Sequence, residues 1–229
     1  MIETTATFSP AVRQGLSVGV ATGAYGISFG ALSVAAGLSV WQTCALSLLM
    51  FTGGSQFAFV GIIGTGGSGL AATATAALLG VRNSLYSLQV VPMLGVRRVG
   101  SRALAAHLTI DESTAVGLAQ PTQAERRRGF WVTGAAVFVL WNLTTLIGAL
   151  LGDVLGDPRR YGLDGAAVAA FLALLWPRLS TPLARVGALA AAAVALASIS
   201  FTPAGVPVLA AAGVAAATAL VAPIAREAR

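Results

Sequence analysis

Phe130-Trp-Val-Thr-Gly-Ala-Ala-Val-Phe-Val-Leu-Trp-Asn-Leu-Thr-Thr-Leu-Ile-Gly-Ala-Leu-Leu151 contains no charged residue. A helix of about 20 mainly apolar residues crosses the hydrocarbon core of a bilayer, and this run is long enough to do so. Its apolar and polar positions do not alternate, so it reads as a helix and not as a barrel strand. The rest of the chain has the same character. Of its 229 residues, 56% are hydrophobic and 10% charged, and the mean hydropathy is +0.82. A soluble domain carries about 25% charged residues, so too few are present here to cover a water-facing surface. Disorder, collagen and a disulfide scaffold are excluded as well. The chain is apolar, its 27 glycines have no three-residue period, and Cys44 is its one cysteine. The fold class expected is all-α: a polytopic transmembrane bundle of seven to eight helical elements, some broken or re-entrant. It is expected to form one integral membrane domain over residues 1–229, with polar ends at 1–12 and 226–229.

The net charge of +6 is carried by 14 basic residues, all arginine, mostly in short clusters between apolar stretches. Such clusters behave as juxtamembrane anchors, so the charge is not a nucleic-acid footprint. Met1 to Pro10 contains Glu3 and no basic residue. A cleavable signal needs a positive start, so the first apolar segment is expected to stay as a span.

Upstream of Phe130 lies the run Glu125-Arg-Arg-Arg128. Before it, segment four (His107 to Gln120) ends at Pro121 and is too short to span alone. A basic loop with Arg97, Arg98 and Arg102 precedes that, after segment three (Gly69 to Val91), which is expected to end at Pro92. Segment two (Val40 to about Gly64) is interrupted at Phe51-Thr-Gly-Gly-Ser-Gln56 and closed by Gly66-Gly67-Ser68. Segment one (about Gly15 to Ala36) stops at Gly37, and Ser39 with Gln42 reads as a capping box for segment two. Downstream, Asp157-Pro-Arg-Arg160 forms a loop, and Asp164 opens a short segment six that Pro177 ends. Thr181-Pro182 and Thr202-Pro203 each read as an N-cap followed by proline. They open segment seven and segment eight, the latter reaching about Pro223. The basic clusters leave the orientation undecided. Whether the Arg97–Arg102 loop lies inside or outside depends on whether segment four crosses or re-enters.

Four features carry chemistry. Arg82 lies thirteen residues into segment three, about 20 Å from Gly69 at 1.5 Å per residue. That is too deep to snorkel, and a guanidinium in lipid costs about 2.5–3.5 kcal/mol on insertion scales. It is expected to face a cavity, a carboxylate or a substrate, the bland alternative being a structural ion pair. Asp111 and Glu112 sit within an apolar element and must pair, reach water or protonate. Thr109-Ile-Asp-Glu112 also fits a capping box in which Glu112 closes a helix start. His107, the one histidine, lies four residues before Asp111 and can share a helix face with it, tuning it by a hydrogen bond. A metal site would need more ligands than this chain offers. Phe51 to Gln56 places Gly53, Gly54, Ser55 and Gln56 mid-segment, which is either a broken helix presenting backbone groups to a ligand or a close packing seam. Trp41, Trp131, Trp141 and Trp176 read as interfacial or packing residues, and Asn142 is expected to hydrogen-bond across helices.

Phe51-Thr-Gly-Gly-Ser-Gln-Phe57, Val81-Arg-Asn-Ser-Leu-Tyr86, Leu108-Thr-Ile-Asp-Glu112 and Trp141 with Ile147-Gly148-Ala149 occur in that order. In these pieces the chain resembles the AzlC-type branched-chain amino acid permeases, the large subunits of two-component amino-acid exporters, over roughly residues 10–225. It departs from the family pattern at Gly80 and Asn83, and by Ile110 placed before Asp111. On a continuous helix that insertion turns the acids by about 100°, unless a break lies there.

The resemblance implies secondary, proton-driven export of valine, leucine, isoleucine or similar small apolar amino acids across the cytoplasmic membrane of a bacterium. It also implies a small membrane subunit of the AzlD type as partner. With one cysteine and one histidine in the chain, no redox cofactor is expected. Mapped onto this chain, the substrate would meet Gly53, Gly54, Ser55, Gln56, Arg82, Asn83, Tyr86, Trp141 and Asn142. Arg82 would receive the carboxylate. Asp111, Glu112 or carbonyls near Gly53 would receive the ammonium, and Phe51, Phe57 or Tyr86 the apolar side chain. Asp111, Glu112 and His107 would couple protons. Other classes are a passive channel or structural subunit, and an intramembrane hydrolase using Ser55 with His107. GxxxxGK[ST] is absent and the chain has no lysine, so it offers no ATP-binding loop of its own.

Overall fold

The computed structural model describes residues 9–155, 172, 175–176, 179–203 and 205–227. Among the described residues there are ten helices and no strand. They are α1 (Pro10–Ala24), α2 (Gly26–Ala35), α3 (Val40–Leu49), α4 (Gly54–Gly64) and α5 (Gly69–Leu94), then α6 (Val99–His107), α7 (Asp111–Ala119), α8 (Gln123–Leu155), α9 (Pro182–Ile199) and α10 (Val206–Glu227). α1 and α2 run on from one another through Tyr25 and together cover Pro10–Ala35. That span, Gln123–Val154 and Pro182–Ile199 are long and apolar enough to cross a membrane. The chain forms the helical membrane bundle its composition requires.

Segment one starts earlier than about Gly15: Ser9 Oγ accepts from the Val12 N–H, with Pro10 in the first turn of α1. Other local signals act as read. Ser39 and Gln42 form a reciprocal capping box, and Gly37 takes a φ of +98° after α2. Thr181 Oγ1 caps α9 ahead of Pro182.

Other expectations are corrected. The Arg97–Arg102 stretch is not all loop: from Val99 it is α6, since arginine and alanine are good helix formers. Pro92 does not end segment three. α5 continues to Leu94, where Gly95 closes it in the left-handed conformation at φ +61°. Proline costs one backbone bond, a loss that a helix near its end tolerates. The Glu125–Arg128 run lies inside α8, which begins at Gln123, and Glu125 pairs with Arg128 within its first turns. Thr202 does not open segment eight. Its Oγ1 donates to Ser198 O at 2.8 Å and finishes α9 instead. α10 begins at Val206 and passes through Pro223. The Asp157–Arg160 loop and nearly all of segment six (164–177) lie outside the described residues.

α8 is the hub, packing against α1, α2, α3, α5 and α7. Its 33 residues reach about 50 Å at 1.5 Å per residue. The closest seam uses Gly15, Gly19, Gly23, Gly26 and Gly30, which share one face at helical spacing. A Cβ at Gly19 would stand 2.6 Å from Ala136 Cβ, and one at Gly30 would stand 2.1 Å from Thr145 O. From the other side, a Cβ at Gly148 would stand 2.0 Å from Ile27 O. Small residues let membrane helices approach until backbones touch, because dispersion contacts drive association where no water is left to expel. The exterior carries leucines and valines, among them Val20, Leu49, Leu70, Leu88 and Val154, while Ser33, Thr43, Ser47, Gln56, Thr75 and Thr145 are buried. An outside more apolar than the inside suits lipid as the solvent.

Candidate functional site

Two helices are broken, and the same device mends both. Between α3 and α4 the chain unwinds over residues 50–53, and Gly53 takes φ +57° and ψ −81°, a conformation suited to glycine. Gln56 is fully buried and staples the gap. Its Oε1 accepts from the Gly53 N–H at 3.2 Å, and its Nε2 donates to Leu46 O at 3.3 Å and Ser47 O at 3.4 Å. Between α6 and α7 the break covers residues 108–110. Here Ser113 Oγ accepts from the Ile110 N–H at 3.1 Å and donates to Leu108 O at 2.6 Å. A backbone unwound at membrane depth must find its partners within the protein. Gln56 and Ser113, each in the first turn after its break, supply them.

This geometry corrects the expected capping box. Thr109 Oγ1 donates back to Ala105 O at 2.7 Å, so it closes α6, and Ser113 takes the closing role given to Glu112. Ile110 falls in the break as the N-cap of α7, which absorbs the turn that an inserted residue would impose on the acids. His107 ends α6 and Asp111 begins α7, so they do not lie on one continuous helix. The His107 ring instead sits 5.9 Å from Phe51 and 5.4 Å from Phe138, joining the two breaks to α8.

Both breaks open on a cavity of about 200 Å³. Pockets for drug-sized ligands run to about 300–1,000 Å³, so this one suits a solute of few heavy atoms. Its apolar wall comes from Phe51, Phe57, Ile110, Val137 and Trp141, with Thr22 and Tyr25 from the α1–α2 junction. Phe29, Phe57 and Trp141 brace one another, with ring centroids 5.6–6.1 Å apart. The polar part is Thr52, Gly53, Gly54, Arg82, Asp111 and Glu112.

Arg82 Nη2 lies 3.0 Å from Asp111 Oδ2 and donates to Thr52 O, an unwound carbonyl, at 3.3 Å. Asp111 Oδ1 accepts a hydrogen bond from the Tyr86 hydroxyl. The Asp111 side chain is 13% exposed and that of Arg82 32%. Three buried donors on the lining residues lack any partner: Arg82 Nε, Thr52 Oγ1 and Trp141 Nε1. A buried polar atom left unpaired costs about 1–3 kcal/mol, so these atoms mark a place for a polar guest.

Of the sequence candidates, the structure gathers Gly53, Gly54, Arg82, Asp111, Glu112 and Trp141 on the cavity wall. Tyr86 stands behind Asp111. Ser55, Gln56, Asn83, His107 and Asn142 are not on the wall. Asn142 does not bond across helices: its Nδ2 donates to Phe138 O, one turn back on α8, at 2.8 Å. Ser55 Oγ is buried without a partner, so the serine–histidine pair of a hydrolase is not formed. Sequence reasoning missed Thr22 and Tyr25, whose only local signal is the glycine after Tyr25, and Val137, one apolar position among many in its run; the Thr52 carbonyl is among those expected near Gly53, and it accepts from Arg82.

Residues 17–155 match the AzlC protein family, more than half of the chain. The chain belongs to the AzlC family. It is a membrane transport-related protein. The AzlC match contains both breaks, the glycine seam from Gly19 onward and every residue lining the cavity, while α9 and α10 lie beyond it. No curated protein and no solved structure matches the chain.

Proposed function

We propose that this chain is a multi-pass secondary carrier in the cytoplasmic membrane of a bacterium. It exports branched-chain or similar small apolar amino acids, is driven by the proton gradient, and works with a small AzlD-type membrane subunit. The whole chain acts as one transporter domain, and its role is not enzymatic. The observation that carries this reading is the cavity itself. A guanidinium from mid-α5 meets Asp111 of α7, with Glu112 on the same wall, between two broken helices and under an apolar wall of few-atom dimensions. A zwitterion with an apolar side chain needs those three surfaces together. Carriers place substrate sites at discontinuous helices, where freed backbone groups and charges are sheltered from lipid.

Arg82→Ala tests it. Inserted protein is expected at the wild-type level, with efflux of labelled leucine from loaded proteoliposomes reduced to background. Wild-type efflux from that variant would remove the central element of the reading.

A further inference from the structure

The two acids on the cavity wall are adjacent in sequence and differ in what holds them. Asp111 uses one oxygen on Arg82 and the other on the Tyr86 hydroxyl. Glu112 has no ion pair and no side-chain partner among the described residues. The unpartnered donors of Arg82, Thr52 and Trp141 line the same cavity as Glu112. The wall thus offers a carboxylate receiver and one uncommitted carboxylate, with the Arg82–Asp111 pair left intact.

The geometry points to a division of labour, resting on the carrier reading: Glu112 is the exchange site where a substrate ammonium and a proton displace one another, and Asp111 is a fixed counterion positioning Arg82. A protonated Glu112 has no charge to offer an ammonium. An ammonium seated on Glu112 leaves no room for the proton. The loaded carrier therefore carries no proton on this residue, and the protonated carrier carries no substrate. A proton bound from one side is released on the other when substrate replaces it. With protons driven inward, the amino acid moves outward. The titratable groups on the wall with Glu112 are Arg82, Asp111 and Tyr25, and Tyr86 touches Asp111.

The reverse assignment gives the opposite sign. If Asp111 took the proton, it would release Arg82 to the substrate carboxylate. Proton and substrate would then bind together and travel in the same direction.

Full-length protein is reconstituted and leucine used as the probe. Leucine–leucine exchange at equal pH is compared with efflux under an acid-outside gradient. Wild type is expected to show both, with efflux accelerated by outside acid. Glu112→Gln lowers exchange, since an amide oxygen holds an ammonium more weakly than a carboxylate does, and the flux that remains is no longer accelerated by outside acid. Asp111→Asn loses exchange and gradient-driven efflux together. In weakly buffered detergent solution, leucine binding to wild type is expected to release protons, a readout that needs no variant to fold. Proton uptake on binding, or acceleration retained in Glu112→Gln, overturns the assignment while leaving a carrier in place. Wild-type protein without saturable leucine flux overturns the carrier reading and the assignment with it.

Discussion

Where α2 crosses α8, a Cβ added at Gly30 would stand 2.1 Å from the Thr145 carbonyl. One turn earlier on the same α8, Trp141 borders a cavity of about 200 Å³ with its indole N–H unpaired. A Cβ added at Gly53, across that cavity, would meet nothing within 4 Å. One stretch of α8 thus serves as a clamp for α1 and α2 and as a wall of the cavity. Close packing fixes the clamp, since backbones in contact cannot slide or part cheaply. The wall beside it keeps space and unpaired polar atoms, which only a guest or water can use. Added bulk should therefore be ruinous in the seam, and changed chemistry decisive at the cavity.

The comparison can be broken most directly in the seam. Gly30→Leu must part α2 from α8 and should cost more than about 3 kcal/mol, the upper end of ordinary overpacking. The expected result is loss of monodisperse protein on size-exclusion in detergent. A normal yield would mean that the seam opens freely. The staple of the first break comes next. Gln56→Leu keeps the shape but strands the Gly53 N–H and removes the side-chain donor to Leu46 O and Ser47 O. At about 1–3 kcal/mol for an unpaired buried group, thermal unfolding in detergent should move down clearly with little change in insertion. An unmoved transition would show that the break holds without it. The smallest effect is expected from Trp141→Phe, which keeps a ring beside Phe29 and Phe57 and removes the unpaired donor. Stability should hold, while apparent leucine affinity falls about tenfold, the worth of one hydrogen bond to a charged group. Unchanged affinity would mean that this N–H never meets the guest.

Much of this fold is legible because its causes are local. Ser39 and Gln42 announce a helix start within four residues, and Gly53-Gly54 weakens a helix wherever it occurs. The depth of Arg82 follows from counting residues along an apolar run. The misreadings also have local origins. Arg97 to Arg102 reads as loop because charge clusters often lie between spans, yet α6 there has good helix formers. Pro92 reads as a stop, but two residues from the end of α5 it removes little. The glycines of α1 and α2 carry no message until α8 is set against them. Glycine spacing fits both a weak helix and a tight seam, and the partner decides which.

By itself, the sequence determined that the chain is an apolar helical bundle with broken segments, holding one arginine and two neighbouring acids within its apolar runs. Hydrophobicity, caps and breaks are properties of consecutive residues, so no partner is needed to read them. The tertiary structure alone decided which acid meets the arginine. Asp111 and Glu112 are successive in the first turn of α7 and point about 100° apart. Only the placing of α7 against α5 and α8 turns Asp111 to Arg82 and leaves Glu112 to the cavity.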